Sequence, residues 1–480
     1  MGKSNFAGDH LYLQVADGLE KMISDDVLKI GDKLPSVRML SDEYGISMGT
    51  AFQAYYHLEG KGLIESRPKS GYYVRFSQRR FRDLPRIVQP EMLSHEVSVK
   101  EMIASIYVDI ASPNARVINF ALAVPDVSLL PAAKLNKSVM HVLRHHKDHC
   151  ISYETPQGNP ELRKQIAKLS FNWGGKVQPE DILITSGGLE AITLCLRSVT
   201  RPGDTVAVES PNYFGIFQAI ENMGLKVVEI SSSPVDGLDL DHLRQAISKN
   251  TIKACVVIPN FNNPLGSCMP DEKKKELVAL ITKHHIPLIE DDIYGELYFG
   301  KQRPRPCKYY DTKGLVMYCS SLSKSLAPGY RIGWTIPGRQ LDTVKQFKRI
   351  QNISSPTLTQ AAIAHFLQHG RYEYHLKQLR KALHTQCLRY LQGIIEYFPE
   401  DTKVSRPAGG FVLWVQLNKK INTFKLRIEA MKHDISIVPG RIFSGSGNYN
   451  HCIRMSFGKP WDKDADDGLQ MLGRIIRKML

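Results

Sequence analysis

Residues Ser320 to Trp334 read Ser-Ser-Leu-Ser-Lys-Ser-Leu-Ala-Pro-Gly-Tyr-Arg-Ile-Gly-Trp. Lys324 stands among hydroxyl side chains just after an apolar run, Leu315 to Cys319, that reads as a buried strand. A lysine held in such a setting suits Schiff-base chemistry, which needs an amine kept partly neutral beside a carbonyl. The hydroxyls of Ser321 and Ser323 and the guanidinium of Arg331 suit a nearby phosphate. Taken alone, the motif fits a structural lysine better than a catalytic one. The elements that would position it carry the decision.

From Val117 onward, apolar runs alternate with amphipathic helical patterns: Ile182 to Thr185, Val206 to Glu209, Val227 to Ile230, Ala254 to Pro259, Pro287 to Glu290 and Val316 to Cys319. This alternation predicts an α/β unit with a largely parallel sheet covered on both faces, whose ligand site lies at the carboxyl ends of the strands. Gly187, Gly188 and Leu189 follow the first run and open a helix, where backbone N–H groups and the helix dipole hold phosphate. Tyr213 follows the second and offers a ring for stacking, although a core or surface tyrosine reads the same way. Asn263 lies in the turn after the fourth, Asp291, Asp292 and Tyr294 end the fifth, and Lys324 follows the sixth. A phosphate cradle, a stacking ring, an amide, a carboxylate, a phenol and a lysine at successive strand ends describe a site for pyridoxal 5'-phosphate. The carboxylate keeps the pyridine nitrogen protonated, so that the ring withdraws electrons, and the lysine holds the aldehyde.

The order and spacing resemble the class I/II aminotransferases, PLP-dependent transferases of fold type I, over roughly residues 117 to 480. The resemblance implies Lys324 as the catalytic, cofactor-bearing lysine. It places Asp291, three residues before Tyr294, on the pyridine nitrogen, with Tyr294 and Asn263 on the ring hydroxyl and Tyr213 stacked on the ring. Gly187, Gly188, Leu189, Ser321 and Arg331 would hold the phosphate. Tyr153, in Tyr-x-x-Pro-x-Gly, resembles the tyrosine that reaches across a dimer to the partner's cofactor phosphate. Arg454, in Ile453-Arg454-Met455-Ser456-Phe457, matches the arginine that clamps a substrate carboxylate. Ala123 stands where the family usually carries a glycine close to the substrate, which implies a narrower pocket. The last 110 residues or so fit the family's smaller domain, expected from about residue 370.

The first eighty residues have another character. Leu11, Val15, Leu19, Met22 and Ile23 recur at helical spacing; Ser36 can cap a short second helix to Tyr44; and Ser47 can cap a third that buries Ala51, Ala54, Tyr55 and Leu58. Two short strands, Leu63 to Ser66 and Tyr72 to Val74, flank a basic tip with Arg67, Lys69 and Gly71. Helix, three-residue turn, helix and wing suit DNA, and by pattern alone also a small protein-binding module. Leu34-Pro35-Ser36-Val37-Arg38-Met39-Leu40 and Leu58-Glu59-Gly60-Lys61-Gly62-Leu63-Ile64 resemble the winged helix-turn-helix of GntR-type regulators. That resemblance implies double-stranded DNA as a partner, with Ser36, Arg38, Ser47, Thr50, Gln53, Lys69 and Gly71 as the contact set. Met48 replaces a second contacting arginine usual in the family.

Charge does not single out this segment. The chain carries a formal net charge of +15, but residues 1 to 82 hold 12 Lys and Arg against 10 Asp and Glu, leaving 51 against 38 elsewhere. The eight cysteines are scattered without a CxxC pair, which predicts reduced thiols rather than disulfides or a metal site. Met1 to His10 is polar, and no apolar run of spanning length occurs, so a cytoplasmic protein is expected.

These signals divide the chain into a winged helix over residues 1–77, a linker with a helical segment from Val97 to Tyr107 over residues 78–116, and a cofactor-binding unit over residues 117–480. The combination resembles the MocR branch of GntR regulators. It implies a homodimer, head to tail, that binds promoter DNA and senses an amino acid or amine through the cofactor. A working aminotransferase with an appended DNA-binding module is the alternative.

Overall fold

The computed structural model describes residues 11–25, 27–67, 70–75, 83–99, 103–104, 117–370 and 372–480. Lys69, Arg79, Arg80 and Arg82 lie outside the described residues, as does most of the segment expected to be helical from Val97.

Three helices, α1 (Leu11–Ser24), α2 (Val37–Tyr44) and α3 (Met48–Gly60), precede two antiparallel strands, β1 (Ile64–Arg67) and β2 (Gly71–Val74). The caps explain the sharp corners. Ser36 Oγ accepts from Met39 N at 3.1 Å to start α2, Gly45 ends it at φ 60°, and Ser47 Oγ accepts from Thr50 N at 3.0 Å to start α3. Val15, Leu19, Leu40, Ala51, Tyr55 and Leu58 are buried together. On the wing, the Arg67 guanidinium lies 4.2 Å from the centroid of the Tyr73 ring.

The large sheet runs, in spatial order, through His95–Glu96, Lys226–Ser233, Thr205–Ser210, Ile252–Val257, Leu288–Asp291, Val316–Ser321, Gly333–Ile336 and Leu183–Thr185. The five strands from Lys226–Ser233 to Val316–Ser321 are parallel, whereas Gly333–Ile336 pairs antiparallel with both of its neighbours. Burial follows the pleat. Val206, Val208 and Val256 pack into one hydrophobic cluster, while Ala207, Cys255 and Val257 pack into another on the opposite face. Both faces being covered, these strands read as continuous apolar runs.

Residues 83–99 pack on this unit. His95 pairs with Val227, His95 Nε2 lies 3.4 Å from the buried Glu229 carboxylate, and Val99 N donates to Glu221 at 3.1 Å. The helix expected from Val97 does not begin there; the described helical residues of the segment are Ile103 and Ala104. Val97 and Val99 are buried with Ser98 exposed between them, and Ile103 N donates to the Val99 carbonyl at 2.9 Å, the four-residue spacing of a helical turn.

A second, antiparallel sheet of Lys403–Val404, Val412–Gln416, Cys452–Ser456 and Val438–Pro439 packs against the helices Thr423–Met431, Lys463–Lys478 and the 26-residue Tyr372–Tyr397. All eight cysteines are free, and among the described residues no helix is long and apolar enough to cross a membrane.

Candidate cofactor site and DNA-reading face

The carboxyl edge of the large sheet and the strand Cys452–Ser456 enclose a cavity of about 220 Å³. Lys324, Asp291, Tyr294, Asn263, Tyr213, Gly188, Leu189, Ser321, Arg331 and Arg454 all line it, together with Ala123. Gly187 sits immediately behind, in contact with Arg331. Residues from separate stretches of sequence therefore converge on one cavity.

Lys324 Nζ donates to the Ala123 carbonyl at 2.6 Å. Burial lowers its pKa to about 8, with Arg454 adding to the shift and Asp291 opposing it. Asp291 ends its strand with one oxygen accepting from Ile293 N at 3.2 Å. Burial raises its pKa to about 7; Asp292 acts in the same direction, and Lys324 opposes. A cation brought against this carboxyl would restore its charge. Asp292 points away, to Arg303 at 2.6 Å, Tyr318 Oη at 2.9 Å and Asn260 Nδ2 at 2.7 Å, and so anchors the strand end.

Asn263 Nδ2 donates to Tyr294 Oη at 3.3 Å, and Tyr294 packs edge-on to Phe411 with centroids 5.4 Å apart. The turn that presents Asn263 is held by the buried Glu209, which accepts from Ile258 N at 2.6 Å and Asn262 Nδ2 at 3.0 Å. Burial raises the Glu209 pKa to about 7. Tyr213 is positioned by its own backbone, its N–H donating to Asn212 Oδ1 at 2.7 Å.

The phosphate end is built from backbone. Gly187 adopts φ 103°, and a Cβ there would overlap the Arg331 guanidinium, so glycine is required twice over. Helix Gly188–Val199 begins at this corner and aims its positive end at the cavity. Arg331 donates to the Ser186 carbonyl at 3.0 Å and to Ser323 Oγ at 3.3 Å. Ser323 thus joins Ser321 at the cavity wall. The hydroxyl run around Lys324 was its sequence signal.

Arg454 is 2% exposed, and one of its Nη atoms donates to the Ala121 carbonyl. Burial pulls its pKa down to about 10. Tyr153, by contrast, is 81% exposed and lies outside the cavity wall.

These residues fit pyridoxal phosphate. Two buried polar atoms at the cavity, Asn263 Oδ1 and Arg454 Nε, have no hydrogen-bond partner among the described residues, an arrangement that costs free energy unless a ligand satisfies it. The glycine corner, Arg331 and the helix N-terminus suit a dianion, and the carboxyl of Asp291 suits a pyridinium.

On the winged helix, Arg38, Gln53 and Gly71 are exposed and Thr50 is half-buried. Ser36 and Ser47 are exposed but already committed to caps. The sequence reading missed Phe52 and Tyr56, which are 53% and 59% exposed and form a stripe with Met48, 52% exposed. Their spacing of four was the available signal.

Residues 115–467 match the family described as aminotransferase class I and II, and residues 11–74 match the bacterial regulatory proteins of the gntR family. The chain is similar to the HTH-type transcriptional regulator YdcR of Escherichia coli (strain K12), with 35% identity over 469 residues, 98% of this chain and 99% of the relative. The regulator YjiR of the same organism is 35% identical over 471 residues, 98% and 99% of the two chains. The structure is similar to that of the alpha-aminoadipate aminotransferase LysN from Thermus thermophilus, solved as a complex with N-(5'-phosphopyridoxyl)-L-leucine. The TM-score is 0.72 at 25% identity, covering 80% of this chain and 99% of that one. The cofactor of this fold is pyridoxal phosphate. With a GntR winged helix at one end, an aminotransferase class I/II domain in the remainder, and full-length similarity to HTH-type regulators, the chain belongs to the MocR-type regulators of the GntR family.

Proposed function

We propose that this regulator binds promoter DNA through the winged helix of residues 1–77 and senses an amino acid or amine through pyridoxal phosphate held at Lys324. It does so as a cytoplasmic homodimer with its chains head to tail. The observation that carries the reading is the setting of Lys324: its amine is desolvated to a pKa of about 8, in a cavity shared with Asp291, Arg331 and Arg454. When bound, the cofactor supplies an aldehyde that captures amines and a ring that withdraws electrons.

The chain's own groups do the rest. Gly187, Gly188, Leu189, Ser321 and Arg331 hold the phosphate, Asp291 keeps a proton on the ring nitrogen, and Asn263 and Tyr294 fix the ring hydroxyl. Tyr213 covers the ring. Lys324 would hold the cofactor's aldehyde, and Arg454 would receive a carboxylate through the Nε that has no partner among the described residues. Tyr153, whose exposure on this chain leaves its side chain free of the core, would contact a partner subunit's cofactor phosphate.

The retention of Arg454 beside Lys324 and Asp291 also supports the second reading, a working aminotransferase. One pair of assays separates the two. A labelled fragment from the protein's own upstream region should shift with protein, and the shift should change with cofactor or amine. An amino-acid panel with 2-oxoglutarate should show at most one half-reaction. Multiple turnovers at about 1 s⁻¹, ordinary for enzymes, with DNA binding indifferent to cofactor, would favour the enzyme.

A further inference from the structure

The recognition helix α3 carries no lysine or arginine between Met48 and Gly60. Its outward face instead presents Met48, Phe52, Gln53 and Tyr56, all exposed, with Gly49 and Thr50 in the first turn. From this face, and resting on the DNA-binding reading above, we infer that the major-groove segment read by α3 is composed of A·T pairs, recognised through adenine edges and thymine methyl groups.

Each base pair displays a distinct pattern in the major groove. Guanine offers two acceptors, N7 and O6, whose usual partner is a bidentate arginine or lysine. Helix α3 has neither. Adenine offers an acceptor and a donor, N7 and N6, which match the two ends of the Gln53 amide, and thymine offers a C5 methyl that attracts apolar groups. Met48 and Phe52 supply apolar surface of about half exposure at the groove-facing end of the helix. Large apolar side chains left in water over a helix face mark a contact surface.

Two details favour the same reading. Thr50 Oγ1 lies 2.8 Å from Ser47 Oγ, inside the cap, so the methyl of Thr50 is its free end. A Cβ on Gly49 would meet only Ser47 Oγ, at 3.7 Å, an ordinary contact. The fold does not require glycine at this position. Its absence of side chain lets the helix backbone approach the base edges.

Cations remain at the margins of the face, in Arg38 and on the wing at Arg67. They serve the phosphates, which fix position without reading sequence. Affinity therefore arises from the margins and selectivity from a helix face without charged side chains.

The test is selection from a random duplex pool with the full-length, cofactor-loaded protein, followed by single-site substitution of the selected duplex. The consensus under α3 should be A·T. Replacing its thymines by uracil, which removes the methyl group alone, should weaken binding severalfold. Gln53→Ala should reduce discrimination at one adenine by roughly 5- to 150-fold. A consensus led by G·C pairs, no consensus at all, or indifference to uracil would each overturn the inference. Loss of binding to every duplex would instead remove the DNA-binding reading on which it rests.

Discussion

Leu388 of the long helix Tyr372–Tyr397 is packed into the core of the winged helix, directly against Gly62, where any Cβ would overlap its side chain. Beside it, Arg389 faces Glu65 of β1 at 3.8 Å. The first turns of the same helix hold the Lys324 loop: Tyr372 Oη and Ser325 Oγ are 2.7 Å apart, and His375 Nε2 donates to the Ser325 carbonyl at 2.7 Å. One rigid element therefore touches both the cofactor lysine's neighbour and the DNA-binding unit.

This arrangement predicts the behaviour of Leu388→Ala. Alanine keeps the helix intact while removing about 2 kcal/mol of apolar burial from the contact. Cofactor affinity and binding to DNA should persist, but the change in DNA affinity caused by cofactor should shrink. Hydrogen exchange over residues 54–66 should become faster and insensitive to cofactor. Unchanged coupling in this variant would remove the helix from the account.

The pKa of Lys324 sets a pH dependence. At about 8, roughly one lysine in ten is neutral at pH 7, against fewer than about one in a thousand at the ordinary lysine value. Capture of the cofactor, followed by its visible absorbance in stopped flow, should quicken as pH rises to about 8 and then level off. The same depression means that the unfolded chain binds the proton more tightly, so this group lowers the stability of cofactor-free protein below pH 8 and ceases to do so as pH rises toward 10.5. Lys324→Met should raise the thermal midpoint of cofactor-free protein at pH 7 and abolish the visible band.

Arg303 is buried between Asp292 and Glu296, at 2.6 Å from each. Removing one partner of a buried ion pair leaves an unpaired charge and costs about 3–5 kcal/mol. Arg303→Met should therefore destabilise the aminotransferase-like unit by that order in urea unfolding, and weaken cofactor binding because Asp292 adjoins Asp291.

Much of this site was legible in sequence because parallel strands buried on both faces leave continuous apolar runs, and each run ends in a residue unsuited to a core. Asp291, Asn263 and Lys324 were found that way, whereas Arg454, in the middle of an antiparallel strand, came only from the family resemblance. The antiparallel return strand Gly333–Ile336 and the edge strand His95–Glu96 were not, since each is defined by its pairing partner rather than by its own period. Leu388 was equally hidden. It sits in a helix with apolar residues on several sides, and nothing local marks which of them meets a distant domain. The capping serines were read correctly as caps, and their hydrogen bonds make them poorer candidates for DNA contact than the exposed Gln53.

Tyr153, exposed in the single chain, gives a test of the proposed dimer. Lys324→Ala chains mixed with Tyr153→Ala chains should form mixed dimers with one fully native site, in which Lys324 of one chain meets the partner's Tyr153. Cofactor capacity should reach about one tightly bound molecule per mixed dimer, measured after dialysis. Tyr153→Ala homodimers that hold two cofactors as tightly as wild type would place Tyr153 outside the site.

The most direct measurement is the affinity of the full-length protein for a fluorescent duplex from its own upstream region, at one fixed salt concentration, with and without pyridoxal phosphate. Wild-type affinity should change by roughly 5- to 150-fold, the usual range of coupling between two sites, and Lys324→Ala should bind the duplex with no response to cofactor. A wild-type affinity that ignores the cofactor, or a Lys324→Ala protein that responds as wild type does, would contradict the account.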